Sequence, residues 1–394
     1  ALEFSTGIAV EDVAIIDVQE GRVLVDMTVG IEGSHITAVL PNTRIRLGEG
    51  VVRIQGGGRF LVPGFWDMHV HAVDPFSSEM LPLFLANGVT GIRDMWGDLE
   101  TATEVNRQVG AGESIGPRLL VPGHYIDSPH PWWEGSVTAG TPEEGRFTVD
   151  SMAEEGADFI KVGSLLDPLV FQTIIERAAE LGLSVAGHVP FGLSATEASD
   201  YGLSSMEHLF GVLEECSAFD QELRADREDW MAARAIGEDA PNPFFDVSVF
   251  RRIADGFDAD RCGALAEVLA RNRTWQVPTL AVFRPGAFGF DSTFAEDPRL
   301  AYMPSGIRDE WAGILRLVRF EVAGRMEPRT HRDSRTPVRR AESPGAWAAR
   351  NHSPSSPPGP ILLRSHRSPV GGHCPLRRGY DMSMTASRPG RTPS

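Results

Sequence analysis

Two hydrophobic rhythms divide the chain. In residues 8–62 apolar and β-branched residues gather in short runs. Val13–Asp17, Arg22–Val25, Met27–Ile31 and His35–Val39 read as strands, with the Gly56-Gly57-Gly58 turn closing a small β unit. From residue 63 the pattern changes to strands alternating with helices. Strands are expected near Phe65–Val70, Val89–Asp94, Arg118–Pro122, Asp158–Val162, Ser184–His188, Ser205–His208 and Trp275–Leu280. Helical stretches include Met80–Ala86, Pro142–Glu155 and Pro168–Leu181; in the last, Leu169, Phe171, Ile174, Ile175, Ala178 and Leu181 recur at helical spacing. Thr141 is placed to cap a helix whose first residue is Pro142. The expectation is an α/β protein: a TIM-like (β/α)8 barrel over residues 63–324, preceded by a small β-sandwich over residues 1–62. Seven of its eight strands can be placed, and catalytic groups in such barrels sit at the carboxyl ends of the strands.

After residue 324 this grammar fails. Residues 325–394 hold 13 Arg, 11 Pro and 10 Ser with almost no periodic apolar pattern, and proline at that density interrupts helix and sheet alike. The eighth strand belongs here, and a barrel without it keeps an open edge. The reading is an aberrant, disordered tail produced by a frameshift near residues 320–335, with a genuine disordered tail as the alternative.

Charge sharpens the division. Residues 1–324 carry 24 basic against 50 acidic side chains, whereas residues 325–394 carry 13 arginines and four acids. An acidic body repels a phosphate backbone, so nucleic acid is not expected as a partner. No apolar run approaches the ~20 residues of a membrane span. The first ten residues lack the basic and apolar regions of a signal peptide and an initiating Met, so an upstream piece is expected to have been removed. A cytoplasmic location is favoured, with a processed exported protein as the alternative; a homo-oligomer is compatible with the sequence. The cysteines (Cys216, Cys262, Cys374) are scattered singly, so no disulfide framework is expected, and Cys216 and Cys262 read as small buried apolar groups.

The chain has a single lysine, Lys161, among 37 basic residues. Where arginine supplies nearly all positive charge, a surviving lysine points to a need for a primary amine. A neutral amine forms a carbamate with carbon dioxide; a guanidinium does not.

Lys161 closes the strand Asp158-Phe-Ile-Lys161. Asp67-Met-His69-Val-His71 ends another strand, and two histidines at i and i+2 point to one face, where both imidazoles reach one ion. An HxH pair alone is common. Val185-Ala-Gly-His188 and Ser205-Met-Glu-His208 place two more histidines at strand ends, so four of the seven histidines before residue 325 fall at one barrel mouth.

These runs, with Leu61-Val-Pro-Gly-Phe-Trp-Asp-Met-His-Val-His71, Gly88-Val-Thr-Gly-Ile-Arg-Asp94, Gly116-Pro-Arg118 and Gly156-Ala-Asp-Phe-Ile-Lys-Val162, resemble the amidohydrolase superfamily in its imidazolonepropionase- and prolidase-like branch. The resemblance spans about residues 10–320. It implies two divalent ions, zinc by habit, with His69 and His71 on one, His188 and His208 on the other, and a carbamate on Lys161 bridging them; Lys161, His188 and His208 would then serve catalysis. It also implies a strand-eight aspartate that shuttles a proton, and none is found after Gly324; Asp333 lies in an arginine-rich run that does not read as a strand.

The implied activity is hydrolysis of an amide or peptide bond in a small molecule or short peptide, of the prolidase or carboxypeptidase kind. A cyclic-amide hydrolase, an inactive product lacking that aspartate, and a basic-tailed binding protein are the alternatives. His124, His130 and Arg93 are candidate substrate contacts at the same rim, with surface solvation as the bland reading. Trp132 and Trp133 either line a pocket or simply pack.

Overall fold

The computed structural model describes residues 1–73, 77–133, 135–237, 247–283, 297–309 and 311–313. The region where strand eight is expected, Asp333, Cys374 and the rest of residues 325–394 lie outside the described residues. The chain divides into two compact units, one holding Ala1–Val62 and the other Pro63–Gly324.

In the first unit, β1 (Leu2–Asp17), β2 (Arg22–Glu32), β3 (His35–Pro41) and β4 (Ile45–Leu61) form one sheet in the order β3-β2-β1-β4. β1 and β2, and β2 and β3, pair antiparallel; β1 and β4 pair parallel. Two apolar clusters cover parts of it, one of Phe4, Ala9, Ala38, Ile45 and Val51 and one of Val13, Met27 and Val29. Among the described residues this is a single sheet, and the second sheet of a sandwich is not among them. The Gly56–Gly58 turn is also corrected. These glycines lie inside β4, where the register with β1 slips between Glu11 and Val13, and Gly57 and Gly58 take the left-handed backbone of a bulge.

The second unit alternates parallel strands with helices. β5 (Phe65–Val70), β6 (Val89–Asp94) and β7 (Arg118–Leu120) form one sheet. β8 (Tyr125–Asp127), β9 (Val137–Thr138), β10 (Ile160–Val162), β11 (Val185–Gly187), β12 (Ser205–Glu207) and β13 (Trp275–Val277) form another, ordered β13-β12-β11-β10-β8-β9. Every pairing in both is parallel. Asp158 ties the two together: its amide donates to Val121 O (2.8 Å) and its carboxylate accepts from Val121 N (3.0 Å). Among the described residues, β5 and β13 each pair on one edge only, so closure of the barrel is not reached within them.

The helices are α1 (Leu81–Ala86), α2 (Leu99–Gly110), α3 (Pro142–Glu155), α4 (Pro168–Glu180), α5 (Ala195–Tyr201), α6 (Val212–Glu215), α7 (Asp220–Ala235), α8 (Val247–Asp255) and α9 (Ala259–Asn272). α3 starts as its sequence dictates: Thr141 accepts from Glu144 N, and the Glu144 carboxylate reaches back to the Thr141 amide. α4 buries Val170, Phe171, Ile174, Ile175 and Ala178, while Leu169 and Leu181, expected inside, are exposed. The core gathers these with Ile92, Leu119, Ile126, Ile160, Val162 and Met206 from the strands. No helix among the described residues is long and apolar enough to cross a membrane.

Cys216 and Cys262 are not separate apolar groups as expected: they form a disulfide between the end of α6 and α9 across 46 residues of sequence. Nothing in their local sequence announces this, because only the fold brings the two Cα atoms to 4.5 Å. On the chain-entropy account, closing a loop of that length stabilises by about 4 kcal/mol. Peptide mapping without reductant is expected to recover the Cys216–Cys262 cross-linked pair, and reduction to lower the urea midpoint. Free thiols at both positions in protein kept under air would contradict the pairing.

Candidate metal centre

The strands of the second unit end in side chains that turn toward one another. His69 is on β5, and His71 follows it. Their rings stack at 5.5 Å between centroids; His69 meets His208 at 4.5 Å, and His208 meets His188 at 5.1 Å. Lys161, central on β10, is 2% exposed, and its charge acts on His69, His188 and His208. The fold therefore brings together all five residues singled out by their strand-end positions.

Local backbone geometry makes this convergence possible. Gly187, directly before His188, has φ +145°, and a Cβ there would stand 2.2 Å from Val162 O. His208 and Leu209 both adopt left-handed backbone (φ 61° and 60°), as does Thr279 (φ 47°), which is rare for a β-branched residue. The Thr279 hydroxyl is hydrogen-bonded to His208 Nδ1 at 2.6 Å. Strain of this kind persists only where surrounding contacts impose it.

Three of the histidines have Nδ1 engaged by a neighbour. His69 Nδ1 donates to the Glu207 carboxylate (2.7 Å), His188 Nδ1 is bonded to the Ser164 hydroxyl (2.9 Å), and His208 Nδ1 to Thr279. Nε2 is the nitrogen left in each ring, the arrangement in which an outer contact orients a metal-binding imidazole. Burial holds His69, His188 and His208 below the usual imidazole range, His208 at about 3; the charge of Lys161 acts in the same direction on all three, neighbouring histidines on His188 and His208, and Glu207 opposes the shift at His69. Neutral imidazole is the form that binds metal. Burial likewise lowers the Lys161 amine to about 7. Asp94, accepting from Ala72 N and Trp96 N at 2.8 Å each, is raised to about 7, also by burial.

This donor set suits a divalent cation. Among the described residues, however, no three His, Cys, Asp or Glu side chains stand as a finished cation cage.

Glu207, quoted in the sequence only as part of the Ser205–His208 run, is the hub of the network. It is fully buried, accepting from His69, from Arg93 Nη2 (2.5 Å) and from the Ser205 hydroxyl (2.7 Å). Burial alone would raise its pKa, but the His69 bond and the Arg93 charge outweigh it and hold the carboxyl low. The available signal was spacing: Ser205 and Glu207 share one strand face, i to i+2, beside a candidate ligand.

Arg93 is not the substrate contact expected of it. It is buried, with Nε donating to Met68 O (2.7 Å) and Nη2 to Ser205 and Glu207. His124 is half-buried beside Asp98, whose pKa it helps to lower, and lies outside the chain of ring contacts among the four histidines. His130 is exposed. Trp132 packs against Phe191 and Trp230, which favours the packing reading, while Trp133 is half exposed. Aromatic rings flank the cluster: Trp96 and Tyr125 on the side of His71 and His188, Phe210 and Phe283 beside His208.

No family model matches the chain. A curated adenine deaminase from Rubrobacter xylanophilus (strain DSM 9941 / JCM 11954 / NBRC 16129 / PRD-1) is 32% identical over 90 residues, 21% of this chain and 14% of that protein, so the match spans about a seventh of the relative's length. Similar solved structures include a putative prolidase from Bifidobacterium longum (20% identity, 67% of this chain and 68% of that chain, TM-score 0.46). A prolidase complexed with N-methylphosphonate-L-proline has 18% identity over 72% of this chain and 82% of its own, with a TM-score of 0.49. A Xaa-Pro dipeptidase with bound methionine has 15% identity over 80% and 75%, with a TM-score of 0.47. At these values the likenesses carry no inference about this chain's chemistry.

Glu207→Ala leaves the Arg93 guanidinium buried without its carboxylate, a change that costs about 3–5 kcal/mol. Urea unfolding is expected to show that loss, and the apolar double variant Arg93→Met/Glu207→Leu to recover most of it. A single variant as stable as the parent would mean that the pair is not buried as described.

Proposed function

We propose that the chain is an amidohydrolase-superfamily hydrolase that cleaves an amide or peptide C–N bond with the help of divalent metal ions. The observation that carries this reading is the meeting of four histidines with the only lysine of the chain at one end of the parallel strands, three of the imidazoles oriented through Nδ1. In this reading His69 and His71 would hold one ion and His188 and His208 a second, with Lys161 as the further residue that would hold them. Bound divalent ions polarise a scissile carbonyl and lower the pKa of water toward neutrality.

The chain's own residues prepare that chemistry. Burial lowers the Lys161 amine to about 7, which brings the neutral form within reach near neutral pH, and a neutral amine is what adds to the carbon of carbon dioxide. The amine lone pair forms the new N–C bond as one C–O π bond of carbon dioxide opens onto oxygen, and the proton lost from nitrogen passes to water, so the product would be a carbamate anion able to bind divalent cations. Glu207 fixes the His69 tautomer, Ser164 orients His188, and Thr279 orients His208.

A prolidase- or carboxypeptidase-like action on short peptides is the favoured substrate reading, with a cyclic amide as the alternative. The family resemblance demands a strand-eight aspartate, and the sequence offers no strand-like run ending in one after Gly324, so an inactive metal-binding product is the second reading. The Cys216–Cys262 bond favours an oxidising compartment over the cytoplasm, against the weighting drawn from the sequence.

Freshly purified protein is expected to contain between one and two zinc-like ions per chain by elemental analysis, and His188→Ala or His208→Ala to reduce that content. Less than one ion per chain after growth and purification with zinc would sink the metal-hydrolase reading. Full metal content without turnover of Xaa-Pro dipeptides, N-acyl amino acids or cyclic amides would favour the inactive product. Protein equilibrated with 13C-labelled carbon dioxide is expected to show a carbamate carbon signal that Lys161→Arg abolishes; no such signal in the parent would remove the bridging role of Lys161.

A further inference from the structure

Two buried aspartates occupy the same place on two different strands. Asp94 is the last residue of β6 and Asp127 the last of β8, and both are fully buried. Each carboxylate spans two loops. One oxygen of Asp94 accepts from Trp96 N in its own loop (2.8 Å), and the other from Ala72 N in the loop after the paired strand β5 (2.8 Å). One oxygen of Asp127 likewise accepts from Trp132 N in its own loop (3.3 Å). Its other oxygen accepts from Leu165 N in the loop after the paired strand β10 (2.9 Å).

In both cases the loop that is reached leads to one of the clustered imidazoles. Ala72 directly follows His71, and Leu165 directly follows Ser164, whose hydroxyl is bonded to His188 Nδ1 (2.9 Å). The turn before Leu165 wraps closely around its carboxylate: a Cβ on Gly163 would stand 2.6 Å from Asp127 Cγ. The turn after His71 is pinned further to β6, with Met95 N donating to Val70 O (2.8 Å) and Val73 bridging to Gly97. Moving either loop would leave a buried acceptor unpaired, which is costly, so each aspartate holds its turn in one conformation. These bonds go to loop backbone, so the two carboxylates act on the site through the chain.

We propose that Asp94 and Asp127 are positioning residues that divide the metal centre between them, Asp94 setting the His71 imidazole and Asp127, through Ser164, the His188 imidazole. The division into a His69–His71 ion and a His188–His208 ion rests on the hydrolase reading; the placing of the two rings does not. A merely structural role predicts a different outcome, in which loss of either buried carboxylate disturbs both rings.

The test uses the full chain stripped of ions and 13C-labelled at histidine Cε1, with the two signals assigned from His71→Ala and His188→Ala. Asp94→Ala is expected to shift or broaden the His71 signal and to leave that of His188 in place. Asp127→Ala is expected to do the reverse. Gly163→Ala, which keeps the carboxylate but crowds its turn, is expected to follow Asp127→Ala. Asp94→Asn and Asp127→Asn keep one carbonyl acceptor and are expected to fall between the parent and the alanine variants. Disturbance of both rings by either alanine variant, or of neither ring, overturns the proposal. One check needs no variant to fold: in the parent the Ala72 and Leu165 amides are expected to exchange slowly with deuterium, and rapid exchange of either overturns it. With 113Cd bound, Asp94→Ala is expected to weaken one of two sites by about tenfold and Asp127→Ala the other. Equal weakening of both sites by one variant counts against the division. A parent that takes up no ion sinks the hydrolase reading alone, because the histidine spectra and amide exchange are read without ions.

Discussion

The site depends on one constraint: several basic groups are buried together with too little negative charge to keep them all protonated. Lys161, His69, His188, His208 and Arg93 share the interior, and Glu207 is the carboxylate bonded directly to two of them. Moving a cation out of water is costly, and each neighbouring cation raises that cost. The groups able to shed a proton do so, and the imidazoles settle in the neutral form that donates a lone pair. Glu207 is placed where the one cation unable to deprotonate, Arg93, must be balanced.

The backbone is bent to the same end. Three-residue strands cannot themselves aim long side chains across an interior, so direction is imposed where they stop. Gly187 tolerates a conformation and a closeness to Val162 that no larger residue permits, and this sets the exit of His188. His208 and Leu209 turn through consecutive left-handed conformations without glycine, and Thr279 does so opposite them. These departures sit around one ring, that of His208, which Thr279 holds by its Nδ1. Elsewhere the unit follows local rules closely, as at the α3 capping box.

Much of this was legible before any coordinates. Seven strand positions can be read because each holds a short apolar run, and the five basic groups stand out because each lies at or beside the end of such a run. β8 was not legible: Tyr125, Ile126 and Asp127 lie in a short stretch among Gly, His, Ser and Pro, and tertiary contacts rather than propensity bury them. The buried face of α4 differs from the periodic reading at both ends, with Leu169 and Leu181 exposed and Val170 inside, because apolar residues on both flanks of the stripe make its edge ambiguous. Glu207 was overlooked because an acid beside a histidine in sequence reads as a solvated strand end until Arg93 and His69 arrive from other strands. The Cys216–Cys262 bond is a property of α6 meeting α9, which spacing does not encode.

Arg93 and Lys161 together explain why a chain so rich in arginine retains one lysine. Burial lowers both: the guanidinium falls below its ordinary, very high range, and the amine falls to about 7. Arginine starts so high that it stays charged through such a penalty, which makes it the right partner for a carboxylate that must remain ionised. Lysine in the same surroundings crosses into the neutral form and becomes a nucleophilic amine. Exchanging the two would place a weakly charged group against Glu207 and a permanent cation among three imidazoles. The two residues occupy one buried environment and are fitted to opposite tasks within it.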